Sequence, residues 1–189
     1  MQVRLDKRAR IIADGGQAYP VDLLRDHTLV QVRQKYTDDT GELTLAPGEE
    51  TTDEVTVGGR VVFVRNTGKL CFASLQDGFT ETSNGERLQI MLSKAEVGDE
   101  SLAAWKSDVD LGDHVWVRGR VVVSRRGELS IMAAEWRMAS KALRPLPTLH
   151  KELSEESRVR RRYADLVVRE ESRQMVRTRA VITLSLIHI

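Results

Sequence analysis

Phe72 stands among residues whose alternation could expose its ring to a nucleic-acid base. The predicted strand 70–76 has small or aliphatic residues in one phase, namely Cys71, Ala73 and Leu75. The other phase holds Phe72 with two polar residues, Ser74 and Gln76. Because successive side chains of a strand point to opposite faces, the first set predicts a core face and the second a solvated face. A ring on the solvated face of a small β-domain is a platform for base stacking, whereas the opposite phase would make Phe72 a core residue.

The charge balance restricts how such a surface would bind nucleic acid. The chain has 189 residues, 41% of them hydrophobic, which suffices for one or two small domains. Its 29 Lys and Arg residues nearly balance 28 Asp and Glu residues, for a net charge of +1. A nucleic-acid surface must therefore be local, or must read bases more than phosphates.

Several function classes lack their sequence signals. A P-loop, a GxSxG motif and an HExxH motif are all absent, so no catalytic residue is predicted. The four histidines lie far apart and Cys71 is the only cysteine, so neither a metal site nor an intrachain disulfide is predicted. The N-terminus has no apolar signal core, and no apolar window of about 18–20 residues occurs. These features predict a cytoplasmic protein without membrane contact.

The elements that would position Phe72 follow from apolar patterning and turn residues. Helices are predicted at 3–14, closed by Gly15-Gly16, and at 29–36, capped by Thr28, with an exposed loop at 37–54. The remaining pattern predicts one helix at 94–105 and five strands at 55–65, 70–76, 87–92, 114–124 and 128–139. A five-stranded barrel with a helix between strands three and four is the oligonucleotide/oligosaccharide-binding (OB) fold, although other small barrels also have five strands.

The chain is therefore predicted to be an α+β protein, mainly β, in four parts. These are an N-terminal helical extension and loop at 1–54, an OB-fold barrel at 55–140, a linker at 141–153 and a helical segment at 154–189. Within the last part, residues 154–179 are predicted to be helical in two pieces. The chain stops inside an apolar run with no helix cap, which predicts that it is truncated.

Short segments in a fixed order give the chain a resemblance to a known family. Examples are GKLCFASLQD at 68–77, DLGD at 110–113, RGELS at 126–130, KALRPLP at 141–147 and RRRYADL at 160–166. Together they resemble the N-terminal part of bacterial class II lysyl-tRNA synthetases. The segment 141–147 separates the lysyl enzymes from their aspartyl and asparaginyl relatives, which share the OB domain. Only residues 184–189 depart from the family pattern and are not expected to belong to the natural protein.

The resemblance implies a division of labour between two domains. The OB domain would bind the U-rich anticodon loop of tRNA(Lys), and residues 154–189 would begin the class II catalytic domain. The full-length family activates lysine with ATP and Mg²⁺, attaches it to tRNA and forms homodimers. Because the class II motifs are absent here, the resemblance implies no cofactor and no catalysis for this chain alone.

The resemblance also suggests which residues contact RNA. Phe72 corresponds to the stacking aromatic and Gln89 to a base-reading glutamine, whose amide offers a donor and an acceptor to a uracil edge. Arg65 would contact a base or a phosphate, and Glu128, expected to open strand five, would accept the N3–H of uracil. Gln89, Arg65 and Glu128 could each instead be an ordinary exposed polar residue without a role in binding. Ser74 and Gln76 share the face of Phe72 and could line the same groove.

Other functions and contacts stay open at this point. One rival is a free-standing OB module that binds single strands without sequence preference; another is a fragment of a membrane enzyme that forms lysyl-phosphatidylglycerol and carries a lysyl-synthetase-like domain. Absence of membrane spans before the first helix argues against the second rival. Basic residues of that helix either touch the tRNA backbone or are solvated: Arg4, Lys7, Arg8 and Arg10. A second basic cluster is expected to serve packing more than RNA binding: Arg158, Arg160, Arg161 and Arg162.

Overall fold

The computed structural model describes residues 1–78, 86–147 and 153–188. The chain forms two compact units, Met1–Pro145 and Leu146–Ile189. The finer domain boundaries predicted from the sequence stay predictions, and part of the predicted linker, 148–152, lies outside the described residues.

Five strands close into a barrel in the order β1-β2-β3-β5-β4. The strands are β1 (Glu50–Thr67), β2 (Leu70–Gln76), β3 (Arg87–Ser93), β4 (His114–Val123) and β5 (Leu129–Ser140). All neighbours are antiparallel except β3 and β5, which run parallel and meet over only three pairs: Gln89↔Ser130, Ile90↔Ile131 and Met91↔Met132. The predicted α+β, mainly β fold with a five-stranded OB-type barrel is therefore confirmed.

Strand β1 begins earlier than its apolar pattern predicts. It starts at Glu50 rather than at residue 55, and its first residue, Glu50, pairs with Val122 of β4. Cross-strand charge pairs replace the missing apolar alternation, since Arg118 Nε lies 3.1 Å from Glu54 and Arg120 Nη2 lies 3.7 Å from Glu50. Opposite charges on facing strands stabilise a sheet where no side chain reaches the core.

The barrel interior is filled by alternate residues of every strand. The buried aliphatic residues include Val55, Val57, Val61, Ala73, Leu75, Leu88, Ile90, Leu92, Val115, Val117, Val121, Leu129 and Ile131. Period-two burial of this kind fixes the register, because a slip by one residue would move each apolar set to the outer face.

A β-bulge interrupts β1 and changes which residues face outward. Val61 pairs with Leu75 of β2, but Phe63 pairs with Ser74, so Val62 is one extra residue. Before the bulge, odd-numbered residues such as Val61 face the core; after it, Val64 packs against the core and Phe63 faces out. A bulge re-aims the side chains that follow it, and here it also turns Arg65 outward.

Two helices precede the barrel and two connect β3 to β4. They are α1 (Gln2–Ala13), α2 (Leu29–Lys35), α3 (Lys94–Val97) and α4 (Asp99–Asp108). Thr28 caps α2 through a capping box with Gln31, as its residue type predicts. The prediction of one continuous helix at 94–105 is wrong. Gly98 adopts φ +82° and separates α3 from α4.

A buried ion-pair cluster fastens the N-terminal helix to the barrel. The fully buried Lys141 donates from Nζ to Asp113 Oδ2 and Asp110 Oδ2, each at 2.6 Å. Lys7 of α1 joins the cluster with Nζ 2.7 Å from Asp110 Oδ1, and Arg4 donates to the Leu111 carbonyl at 2.8 Å. Arg4 and Lys7 therefore contact the loop before β4, whereas the Arg10 side chain stays exposed beside Asp108. Contact between α1 and RNA stays a prediction.

Over residues 153–188 the second unit has three helices rather than the two predicted pieces. They are α5 (Glu155–Arg160), α6 (Arg162–Val168) and α7 (Glu170–Ile187). The buried Asp165 carboxylate accepts from Arg162 Nη1 and from the Ser172 hydroxyl, both at 2.6 Å, with Arg158 Nε at 3.9 Å. Two arginines of the predicted packing cluster thus surround a buried carboxylate. In the part of the chain that the structure describes, none of the helices has the length and apolar character needed to cross a bilayer.

Candidate nucleic-acid interface

The predicted phase of β2 is confirmed. Cys71, Ala73 and Leu75 are buried in the core, and Phe72 lies on the outer face with part of its surface exposed. Its cross-strand neighbours are Arg65 of β1 and Met91 of β3. The ring therefore sits at the centre of a three-strand outer face, between a cation and a polarizable thioether, which suits a stacked base.

Gln89 lies one ladder row away, beside Ser74 of β2. Its Nε2 donates to Ser130 Oγ at 2.8 Å, and the Ser130 hydroxyl donates to the Glu128 carbonyl at 2.9 Å. This chain of bonds holds the amide in one orientation across the β3–β5 seam. It leaves the Gln89 carbonyl oxygen and one N–H for a base edge, since an amide group has two donors and one acceptor oxygen.

Glu128 precedes β5, which begins at Leu129, rather than opening the strand as predicted. Its exposed carboxylate lies 3.9 Å from Arg33 Nη2 of α2. Arg33 also donates from Nε to Glu86 at 2.7 Å and from Nη2 to the Arg87 carbonyl at 2.7 Å. A cation held at this place offsets the repulsion between a carboxylate and RNA.

Arg33 was missed by sequence reasoning because nothing local marks it. Its place follows from the docking of α2, whose first backbone N–H, at Leu29, donates to Asp77 Oδ2 at 3.1 Å. The pKa of Asp77 is raised by burial, against which this hydrogen bond works in the opposite direction. Only the tertiary structure brings α2 beside the start of β5.

Two cations of the β1–β2 hairpin, which carries Phe72, are unpaired in the described part of the chain. Among the described residues, Arg65 and Lys69 have exposed side chains that make neither an ion pair nor a hydrogen bond. On the opposite side of the barrel, by contrast, arginines face carboxylates: Arg118 lies 3.1 Å from Glu135, and Arg120 lies 3.0 Å from Glu96. A chain of net charge +1 can therefore still present a local positive surface.

Gln76 does not join this surface, contrary to its prediction. It has the same alternation phase as Phe72, but only 5% of its surface is exposed. It lines a pocket of about 280 Å³ together with Arg25, Gly59 and His114, where β2 ends. Burial, and then the nearby Arg60, lower the pKa of His114 to about 4. Ser74, in contrast, stays partly exposed between Phe63 and Gln89 as predicted.

Phe63 is an exposed aromatic that sequence reasoning missed. It shows 51% of its surface and pairs with Ser74 on the outer face. The run Val61-Val62-Phe63-Val64 hides it, because strict alternation would direct Phe63 inward with Val61. Two of the tryptophans, by contrast, serve packing: Trp105 is buried and meets Trp136 edge-on, with ring centroids 5.1 Å apart.

No metal cluster is found in residues 1–78, 86–147 and 153–188. In these ranges no three His, Cys, Asp or Glu residues are placed to hold an ion. The single Cys71 lies in the core, and burial raises the pKa of its thiol. What the outer face offers is therefore stacking, hydrogen bonding and positive charge.

The comparisons agree with this geometry. Residues 55–139 match the tRNA_anti-codon family, described as an OB-fold nucleic acid binding domain. The chain is 59% identical to a lysine–tRNA ligase of Kineococcus radiotolerans over 95% of its residues. It is 54% identical to those of Mycolicibacterium gilvum and Mycobacterium tuberculosis over 96%.

The chain spans about a third of the length of these curated relatives, 34% in each case. A lysylphosphatidylglycerol biosynthesis bifunctional protein of Rhodococcus jostii is 36% identical over 98% of the chain, which covers 15% of that protein. The resemblance inferred from the sequence is thereby confirmed. The chain is homologous over 95% of its length to the N-terminal part of lysine–tRNA ligases, which are aminoacyl-tRNA synthetases, and its residues 55–139 match an OB-fold nucleic acid binding domain.

Proposed function

We propose that this chain binds the anticodon loop of tRNA(Lys) as the anticodon-binding part of a lysine–tRNA ligase. The observation that carries the proposal is the partly exposed Phe72 ring at the centre of an OB-barrel face, flanked by the unpaired Arg65. OB folds bind single strands on the face of strands 2 and 3. Identity to lysine–tRNA ligases of 54–59%, against 36% to the lysylphosphatidylglycerol protein, favours this function over the lipid-modifying one.

Each polar residue then has a role. Phe72 stacks on one uracil, and Gln89, oriented by Ser130, hydrogen-bonds a uracil edge. Glu128 accepts a uracil N3–H while Arg33 balances its charge, and Arg65 contacts phosphate or base. A base that cannot satisfy these groups leaves them desolvated and unpaired, which is the physical source of discrimination.

The activity of the whole enzyme is part of the same proposal. A full-length ligase would activate lysine with ATP and Mg²⁺, transfer it to tRNA and act as a homodimer in the cytoplasm. The proposal gives none of the described residues a role in binding ATP or Mg²⁺. We therefore assign no catalytic activity to the chain alone and expect no lysine-dependent ATP–pyrophosphate exchange from it. Robust exchange from these 189 residues would overturn that assignment.

Fluorescence anisotropy with a labelled anticodon stem-loop tests the binding function. Three unlabelled competitors are compared. They are the U-rich stem-loop itself, the same stem with its loop uracils replaced by cytosines, and a random single strand of equal length. The U-rich loop should compete best, and Phe72→Ala should weaken its binding by about 10- to 100-fold, because one base stack is lost. Phe72→Tyr, which keeps the stack, is the matched control.

Two results would contradict the proposal. Equal competition by the random strand would favour an OB module without sequence preference. Unchanged binding by a folded Phe72→Ala variant would place the RNA on another surface.

A further inference from the structure

We infer that Phe63 is a second stacking position, which holds the nucleobase next in the RNA strand to the one on Phe72. The inference rests on the proposed function and extends it from one base to two. Its ligand is an unpaired nucleotide of the same single strand, and Arg65 is its cationic neighbour.

The exposure of Phe63 is the first observation. Half of its surface, 51%, is open, although it lies within a strand whose other apolar residues, such as Val61 and Val62, are buried. An exposed ring inside a regular strand contributes little to the core. Aromatic side chains on a sheet surface are the means by which single-stranded nucleic-acid binders hold successive bases.

The bulge in β1 is the second observation. If the strand kept regular alternation through Val62, with no bulge, Phe63 and Arg65 would point into the barrel with Val61. With the bulge, Phe63 faces Ser74 and Arg65 faces Phe72 on the outer surface. Bulges are typical devices for re-aiming side chains at functional sites, and this one delivers both side chains to the same face.

The relative position of the two rings is the third observation. Phe63 and Phe72 are diagonal neighbours across the β1–β2 ladder, so their backbones are roughly 7–8 Å apart, within reach of aromatic side chains. At this separation each ring can contact a different base of the same strand. A strand of RNA crossing from β2 to β1 would meet Phe72 first and Phe63 next.

Charge decides in favour of RNA over a protein partner. The square formed by Phe63, Arg65, Phe72 and Ser74 contains a guanidinium that makes no ion pair with any described residue. A phosphate between two stacked bases would supply the missing negative charge. A second copy of the chain would bring its own unpaired cation to the same place.

An abasic scan of the anticodon stem-loop tests the inference. Each nucleotide of the loop is replaced in turn by an abasic residue, and binding is measured for the unaltered protein, Phe63→Leu and Phe72→Ala. Phe63→Leu should weaken binding of the intact loop by about 10- to 100-fold, the range expected for the loss of one base stack. At one loop position, next to the position where Phe72→Ala loses its effect, the abasic RNA should bind Phe63→Leu and the unaltered protein equally.

Controls separate stacking from folding. Phe63→Tyr keeps an aromatic face and should bind like the unaltered protein. Leu111→Ala removes a similarly exposed apolar side chain, 46% open, from the loop before β4 and should leave binding unchanged. If Phe63→Leu does not fold, Phe63→Thr, which places a strand-forming residue without a ring at this exposed position, takes its place in the same scan.

The outcomes distinguish the inference from the proposed function. If Phe72→Ala weakens RNA binding and Phe63→Leu does not, the inference fails while the proposed function stands. The inference also fails if both variants lose their effect at the same loop position. Loss of self-association by Phe63→Leu in sedimentation, with RNA binding unchanged, would assign the ring to a second copy and also overturn it. Failure of the unaltered protein to bind the loop would refute the proposed function itself.

Discussion

The buried Lys141 gives the sharpest prediction about stability. Its ammonium group makes three hydrogen bonds of 2.6 Å, to the Asp108 carbonyl, Asp110 Oδ2 and Asp113 Oδ2. The side chains of Lys141 and Asp113 are both fully buried. Lys141→Met keeps an unbranched apolar stem, one atom shorter than lysine, and removes the charge and the donors.

The expected loss of unfolding free energy follows from the contacts that Asp113 keeps after the substitution. Without Lys141, the Asp113 carboxylate keeps two backbone donors, Asp110 N at 2.7 Å and Ala142 N at 2.8 Å, but has no counter-charge. Breaking a buried ion pair from one side costs about 3–5 kcal/mol of unfolding free energy. A domain of ordinary stability has about 5–15 kcal/mol in total, so the variant should be folded but markedly weaker.

Urea unfolding followed by tryptophan fluorescence measures this change. All three tryptophans, Trp105, Trp116 and Trp136, lie in the unit Met1–Pro145, so the signal reports on the barrel. Lys35→Met is the matched control, because Lys35 Nζ also lies 2.6 Å from a carboxylate, that of Asp53, but on the surface. Its midpoint should move far less, since exposed ion pairs contribute little.

A second substitution makes the test specific to the pair. Lys141→Met combined with Asp113→Asn removes both charges and should be more stable than Lys141→Met alone. The reasoning fails if Lys141→Met lowers the unfolding free energy by less than about 1 kcal/mol. It also fails if the two substitutions add without coupling, because contacting members of one network must interact.

Three further predictions concern other sites. Because the pKa of His114 is lowered from 6.5 to about 4, the unfolded chain binds more protons between these pH values. The unfolding free energy should therefore fall as pH falls from 6.5 to 4, by at most about 3 kcal/mol and by less after solvent screening; His114→Gln should flatten that slope in urea titrations. Gly119→Ala should prevent folding, since its Cβ would lie 2.0 Å from the Met132 carbonyl, whereas Gly58→Ala, with 3.8 Å to its nearest atom, should melt near the unaltered temperature. Gln89→Leu should reduce the preference for the U-rich over the C-substituted loop by about ten-fold in the competition assay, because an edge hydrogen bond is lost; an unchanged ratio would remove Gln89 from base reading.

The local signals of the sequence predicted much of this fold. Alternation in β2 was sufficient to place Phe72 outside and Leu75 inside, and Thr28 with Gln31 marked the start of α2. These features depend on neighbours within a few positions. They are therefore visible without tertiary structure.

The features that escaped prediction depend on partners far along the chain. The bulge at Val62 arises from pairing with β2, and the position of Arg33 arises from docking of α2 on Asp77. Gln76 has the right phase for the outer face but is covered where β2 ends. Alternation predicts the direction of a side chain, whereas its exposure depends on what packs over it.

The short parallel seam between β3 and β5 has a consequence for the dynamics of the barrel. Only three residue pairs join these strands, so the seam is where the barrel should breathe first, with early amide exchange at Ile90 and Ile131. Gln89 and Ser130 already bridge it with a side-chain bond. RNA bound to Gln89 would favour the closed seam over the open one. Tighter RNA binding should therefore go together with slower amide exchange at this seam, because both depend on the same opening equilibrium.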